Sequence, residues 1–191
     1  MSVEVGTEVA RLLAEHVGDW TAEDLLLLPP DGPHFEIVDG ELVEKPVASR
    51  YHNQLGFELI LQLRPFVPSA WQAGYEGGTQ LPRSVRFPDV FVSTAVATRR
   101  QPIAAGAAAD VVLAVEIVSP GYERVDRVDK PAEYAAAGIA HFWRLETEPD
   151  LLLQVHRLDG GAYRLIAEQG GGVLRLDEPF PLVLDLDALP R

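Results

Sequence analysis

Cysteine is absent from this 191-residue chain, which removes disulfide frameworks, thiolate zinc sites and cysteine nucleophiles together and fits a reducing compartment. Also missing is any apolar stretch near the roughly 20 residues of a membrane span. Even the region from Ala105 to Val118 is interrupted by Asp110 and Glu116. Residues Met1 through Glu15 mix acidic with apolar side chains and lack the basic start and continuous apolar run of a signal peptide. The expectation is a soluble, cytoplasmic protein with no membrane partner and its N-terminus retained. Positive charge is scarce: 16 Lys and Arg against 29 Asp and Glu leave a net −13. That opposes loose association with nucleic acid, because phosphate binding runs on local cation density. Attraction to such a substrate would have to come from a local basic patch, bound divalent cations or a partner subunit.

What is present fits one domain long enough to bury a core without staples. There is no internal repeat, long polar linker or charge run. Apolar residues at Val5, Val9, Leu12, Leu13 and Val17 predict an amphipathic helix over Val3 to Val17. Thr21 with Asp24 three residues on resembles a capping box for a short helix, Ala22 to Leu27, that Pro29-Pro30 ends. Phe35 to Val38 and Glu41 to Val43 flank Asp39-Gly40, a hairpin turn dipeptide. From Ser49 to about Arg64 the stripe His52, Leu55, Leu59, Leu63 predicts a helix with His52 facing inward.

Strand-like runs follow around Trp71 to Leu81 and Arg86 to Ser93, then an Ala-rich connector from Ala95 to Ala109, then a central strand, Val111 to Val118. Asp129 and Pro131 suit a helix start, with Ala132 to Ala137 continuing it and Gly138 stopping it. Ile139 to Glu146, Leu151 to Leu158 and Ala162 to Glu168 read as strands, the last two joined through Asp159-Gly160-Gly161, and a β-rich tail runs from Val173 to Leu189. The order predicts an α/β (α+β) single domain over 1–191, a mixed sheet flanked by helices.

Glu116 is the only ionisable residue between Val111 and Val118, and a carboxylate in an apolar strand needs a cation, a proton or a route to solvent. It is either a strand-end carboxylate that reaches water or an Arg, or a metal ligand. Mg²⁺ takes one or two carboxylates plus water and substrate phosphate, so a metal reading needs a second acid. Asp89 is the candidate, since Pro88-Asp89-Val90 sets a carboxylate at the start of an apolar run, although such dipeptides are mostly turn or strand-entry chemistry. Lys130 could polarise a scissile phosphate or acidify an attacking water. It could equally be a solvated lysine pairing with Asp126 four residues earlier.

The combination resembles the PD-(D/E)XK nuclease superfamily, and within it the restriction endonuclease family commonly called Uma-two. The resembling stretches are Trp20 to Leu25 with Leu28-Pro29, Phe35 to Leu42, His52, Pro88-Asp89-Val90, Val115 to Pro120, Asp126 to Lys130, Tyr134 to Ile139 and Phe142-Trp143. Their order, from about Trp20 to beyond Trp143, carries the likeness.

The resemblance implies a restriction-endonuclease-like core over about 20–146 with a β-rich C-terminal part over 147–191, and Mg²⁺- or Mn²⁺-assisted phosphodiester hydrolysis of nucleic acid, DNA first, by a homodimer. It implies that Asp89 and Glu116 hold the metal, with the carbonyl of Ile117 as a further ligand. Lys130 stands in for the superfamily lysine, because Val118 occupies the place two residues after Glu116 where that lysine usually sits. Glu36 and His52 line the same cleft, as a supporting carboxylate and a helix-borne histidine for metal or substrate. Each also has a plainer reading, Glu36 on the exposed face of a hairpin and His52 as a hydrogen-bonded core residue. The chain departs from the family at Gly121-Tyr122, where a small hydroxyl pair is usual, and at Pro131, where an aliphatic residue is. Tyr134, Phe142 and Trp143 are read as packing residues with no chemistry. Two further classes stay open: a catalytically degenerate relative that binds nucleic acid or a protein through the same groove, and a β-rich small-ligand binding protein.

Overall fold

The computed structural model describes residues 2–94 and 105–191. Helices α1 (Ser2–Glu15) and α2 (Ala22–Leu25) lead into a hairpin of β1 (Phe35–Val38) and β2 (Glu41–Glu44), followed by helix α3 (Arg50–Leu63). Strands β3 (Gln72–Tyr75), β4 (Thr79–Gln80), β5 (Val85–Arg86), β6 (Val90–Ser93), β7 (Gly106–Ala107) and β8 (Val111–Ile117) come next. After helix α4 (Lys130–Ala136) come β9 (His141–Glu146), β10 (Leu152–Asp159), β11 (Ala162–Gln169), β12 (Val173–Leu176) and β13 (Leu182–Asp185). No helix among the described residues is long and apolar enough to cross a membrane.

The main sheet runs β11-β10-β9-β8-β6-β3, antiparallel except for the parallel pair β8–β9 that α4 bridges. A smaller sheet, β2-β1-β5-β4-β7, and the β12–β13 hairpin complete a mixed α/β architecture. Strand β8 is central, and its near-continuous apolar run reflects burial on both faces. Leu113, Val115 and Ile117 pack with Leu55, Leu59 and Leu63 of α3 and with the C-terminal hairpin, whereas Ala114 packs with Tyr134 and Phe142 beneath α4. By the same period of two, Glu116 joins the α4 side.

Local chemistry explains the elements. The Asp24 carboxylate accepts from both the N–H and the hydroxyl of Thr21, which starts α2. Asp39 and Gly40 both carry positive φ, 51° and 84°, as a two-residue hairpin turn requires. The Ser49 hydroxyl caps α3 by accepting from the N–H of His52, and the stripe His52, Leu55, Leu59, Leu63 is buried as the spacing predicts.

Three expectations are corrected. The run Trp71 to Leu81 is two strands and not one, because the chain turns at Glu76 (φ 49°) and Gly77, where a Cβ would meet the Phe91 ring at 2.2 Å. The expected stripe of α1 is mostly solvent-facing: Val9 is buried, while Leu13 and Val17 are exposed. The helix expected to start at Asp129 begins instead at Glu123, and Pro131 lies inside it. A proline there removes a backbone donor and crowds the preceding turn. The chain absorbs it in a widened π turn, Val125–Asp129, and the Arg127 carbonyl accepts instead from Arg144 Nη1 at 3.4 Å. Of the Ala95 to Ala109 connector, 95–104 lie outside the described residues, and its remainder forms β7, which pairs in parallel with β4, and the start of a single 3₁₀ turn.

Candidate active site

Strands β6 and β8 pair antiparallel with Val90 opposite Val115. Just before β6, Asp89 reaches the end of β8, where its carboxylate accepts from the backbone of Ile117, the residue after Glu116. Between the chain leaving β2 and the segment that becomes α4 lies a cavity of about 380 Å³, lined among others by Glu36, His52, Arg86, Asp89, Ile117 and Lys130. Glu116 is fully buried just behind Lys130.

Asp89 is held on one oxygen. Its Oδ2 accepts from the N–H of Ile117 at 2.7 Å and lies 3.0 Å from His52 Nε2, while Oδ1 lies 4.0 Å from Lys45 Nζ. Burial pushes this carboxyl up, yet the His52 hydrogen bond and the charges of His52, Lys130 and Lys45 outweigh it and hold it below the usual carboxylate range. Burial draws the His52 imidazole down, and the Asp89 contact more than reverses this, leaving it above its ordinary value.

Glu116 is held on both oxygens, accepting from Lys130 Nζ at 2.7 Å and from the Tyr134 hydroxyl at 2.6 Å. Burial nevertheless pushes its carboxyl up to about 8, with the charges of Asp89 and Asp126 adding to the rise and Lys130 opposing it. The Lys130 ammonium also meets Asp126 Oδ1 at 3.1 Å, and burial raises the Asp126 carboxyl as well. Desolvation works against the Lys130 charge, but four surrounding carboxylates raise it well above an ordinary lysine.

Asp89, Glu116, Ile117, His52 and Lys130 therefore converge. Glu36 lines the same cavity with its carboxylate occupied elsewhere: it accepts from Arg86 Nη1 at 2.9 Å and from the N–H of Phe87 at 3.1 Å. It is buried, which corrects its reading as an exposed hairpin side chain. The reading of Lys130 as a solvated lysine is half corrected, because it does pair with Asp126 but is itself buried. Tyr134, assigned packing alone, donates directly to Glu116.

Sequence reading also passed over Arg86 and Lys45 and gave Asp126 no role beyond pairing. Asp126, Lys130 and Tyr134 recur every four residues, a stripe down one helical face that the supposed start at Asp129 concealed. Arg86 forms a fork of 2.8 and 2.6 Å onto Glu133 of α4 besides its bond to Glu36, tying the small sheet to the helix that bears Lys130. Nothing in the local sequence marks Lys45.

The donor set suits a hard cation. The Asp89 carboxylate lines the cavity and accepts from the Ile117 backbone, and the neighbouring Glu116 carboxylate lies close enough for the Asp89 charge to raise it; carboxylate and carbonyl oxygens are the donors such a cation takes. Among the described residues no group of three or more His, Asp or Glu side chains is arranged to hold a metal. Mg²⁺ takes few protein ligands and completes its shell with water and substrate oxygens.

The family model described as "Putative restriction endonuclease", Uma2, matches residues 22–188. Among solved structures, the chain resembles "a putative nuclease belonging to DUF820" from Anabaena variabilis ATCC 29413, with a TM-score of 0.65 at 17% identity over 89% of this chain and 97% of that one. At that identity the likeness is one of fold. No curated protein matches.

Proposed function

Because the chain belongs to the Uma2 restriction endonuclease family, we propose that it is a nuclease hydrolysing phosphodiester bonds of DNA, with Mg²⁺ or Mn²⁺ held by Asp89, Glu116 and the carbonyl of Ile117. The observation that carries this reading is the bond from the Ile117 N–H to Asp89, which sets that carboxylate beside Glu116, the Lys130 ammonium and a cavity. When bound, the cation supplies polarisation of the scissile phosphate and an acidified water.

The chain's own groups have separable tasks. His52 and the Ile117 N–H fix Asp89 Oδ2. The Tyr134 hydroxyl fixes Glu116 Oε1, so the two carboxylates are oriented before substrate arrives. Lys130 holds Glu116 and Asp126 together and places a preorganised positive charge against the cavity, where charge builds on the phosphate during hydrolysis. Arg86 and Glu36 fix the helix that carries Lys130.

The test is nicking of supercoiled plasmid with Mg²⁺ or Mn²⁺ by the wild type and by Asp89→Asn. Metal-dependent nicking by the wild type, lost in the variant, supports the reading. A second reading, a degenerate nuclease-fold module that only binds, is favoured by the net charge of −13 and by the engagement of Lys130 with two carboxylates. It prevails if metal binds and neither DNA nor RNA, single- or double-stranded, is cut.

A further inference from the structure

The chain has only two lysines, Lys45 and Lys130, among its 16 basic residues, and both line the same cavity. The other 14 (16 − 2) are arginines. An ammonium is a compact point charge on a flexible stem, and a guanidinium is a broad planar fork. The positions where this chain uses the smaller cation thus converge on one place.

The two ammonium groups differ in their engagement. Lys130 is 7% exposed and spends its charge on Glu116 and Asp126 at 2.7 and 3.1 Å. Lys45 is 13% exposed, meets Asp89 Oδ1 at only 4.0 Å, and makes a close ion pair, 3.0 Å, with Glu76, which is a third exposed. Its backbone is anchored, the N–H donating to the His34 carbonyl at 2.7 Å just beyond the end of the β1–β2 ladder. An anchored stem whose ammonium pairs with the partly exposed Glu76 can exchange that carboxylate for an incoming anion. Arg86, the third cation lining the cavity, is tied into bonds with Glu36 and Glu133.

From this placement we propose that Lys45 is a phosphate-contacting residue of the site: its ammonium leaves Glu76 and meets a non-bridging oxygen of the bound phosphodiester, beside Asp89. This rests on the nuclease reading and adds a substrate contact that the pattern of acidic residues does not predict.

The test uses bis(4-nitrophenyl) phosphate, a minimal phosphodiester without bases, alongside plasmid, with Mg²⁺ or Mn²⁺. Lys45→Ala should lower kcat/KM by about ten- to a hundredfold, the loss typical of removing one charge-assisted hydrogen bond, and Lys45→Arg should recover part of it. Glu76→Gln separates contact from scaffolding: a structural ion pair would make this variant as poor as Lys45→Ala, whereas a substrate contact predicts activity retained or raised. A readout independent of turnover is reductive ¹³C-methylation, which labels just two side-chain amines. Added unlabelled diester should shift the Lys45 signal, identified by its absence in Lys45→Arg. Unchanged kcat/KM in Lys45→Ala, or equal losses in Lys45→Ala and Glu76→Gln, overturns the proposal while leaving the nuclease reading intact. A wild type that hydrolyses neither substrate overturns both.

Discussion

The ammonium of Lys130, the first residue of α4, lies 2.7 Å from Oε2 of Glu116, near the end of β8, inside the protein. This pair joins the central strand to the crossover helix. Removing one member of a buried pair costs more than the pair contributes, because the other is left uncompensated.

Lys130→Met should therefore destabilise the fold by about 3 kcal/mol, the lower end for broken buried pairs because Glu116 can retreat into its protonated form. For a chain of this size that is a fall in melting temperature of about 6–12 °C. Differential scanning calorimetry checks it, and nicking should be lost under conditions where the variant remains folded.

Stability should depend on pH through Glu116. Its carboxyl titrates near 8 when folded against 4.5 ordinarily, so between those values the folded state holds a proton that the unfolded state has released. Its contribution is fully present below about pH 4.5 and is lost as pH rises through about 8. His52, also raised above its ordinary 6.5, acts in the same direction, whereas Asp89, held below 3.8, is saturated throughout this range. Metal-free wild type should melt progressively lower from pH 5 to 8, and Glu116→Gln should flatten the slope. An unchanged slope in the variant would assign the dependence elsewhere.

Tyr134→Phe removes the only hydroxyl donor to Glu116 Oε1 among the described contacts and keeps the ring in its packing site. Loss of a hydrogen bond that orients a metal ligand typically costs 10–100-fold in metal affinity or activity. Nicking should fall by about that factor with α-helical circular dichroism unchanged.

Much of this arrangement was legible beforehand because its parts announce themselves locally. Asp39-Gly40 can only turn tightly, Ser49 caps a helix whose apolar stripe is regular, and Glu116 is conspicuous in an apolar strand. What was hidden depends on distant partners. The Arg86 fork joins residues 47 apart in sequence, and Lys45 comes to 4.0 Å from Asp89 across a separation the local sequence does not reveal. The four-residue stripe Asp126-Lys130-Tyr134 was disguised by Pro131, which reads as a helix start until a π turn accommodates it within the helix.

Arg86→Lys should report on that distant tie. A lysine keeps the charge but cannot form the two-pronged bond to Glu133 while still reaching Glu36. A lower melting temperature with a matching loss of nicking is expected, and a variant as stable and active as wild type would remove Arg86 from the account.

The central claim, that Asp89 and Glu116 share one divalent cation, is met most directly by isothermal titration of Mn²⁺ into the wild type and into Asp89→Asn. The account predicts saturable binding with one cation per chain in the wild type, strengthening between pH 6 and 8 as Glu116 gives up its proton, and at least a tenfold loss of affinity in the variant. Equal binding by both proteins, or none by either, would contradict it.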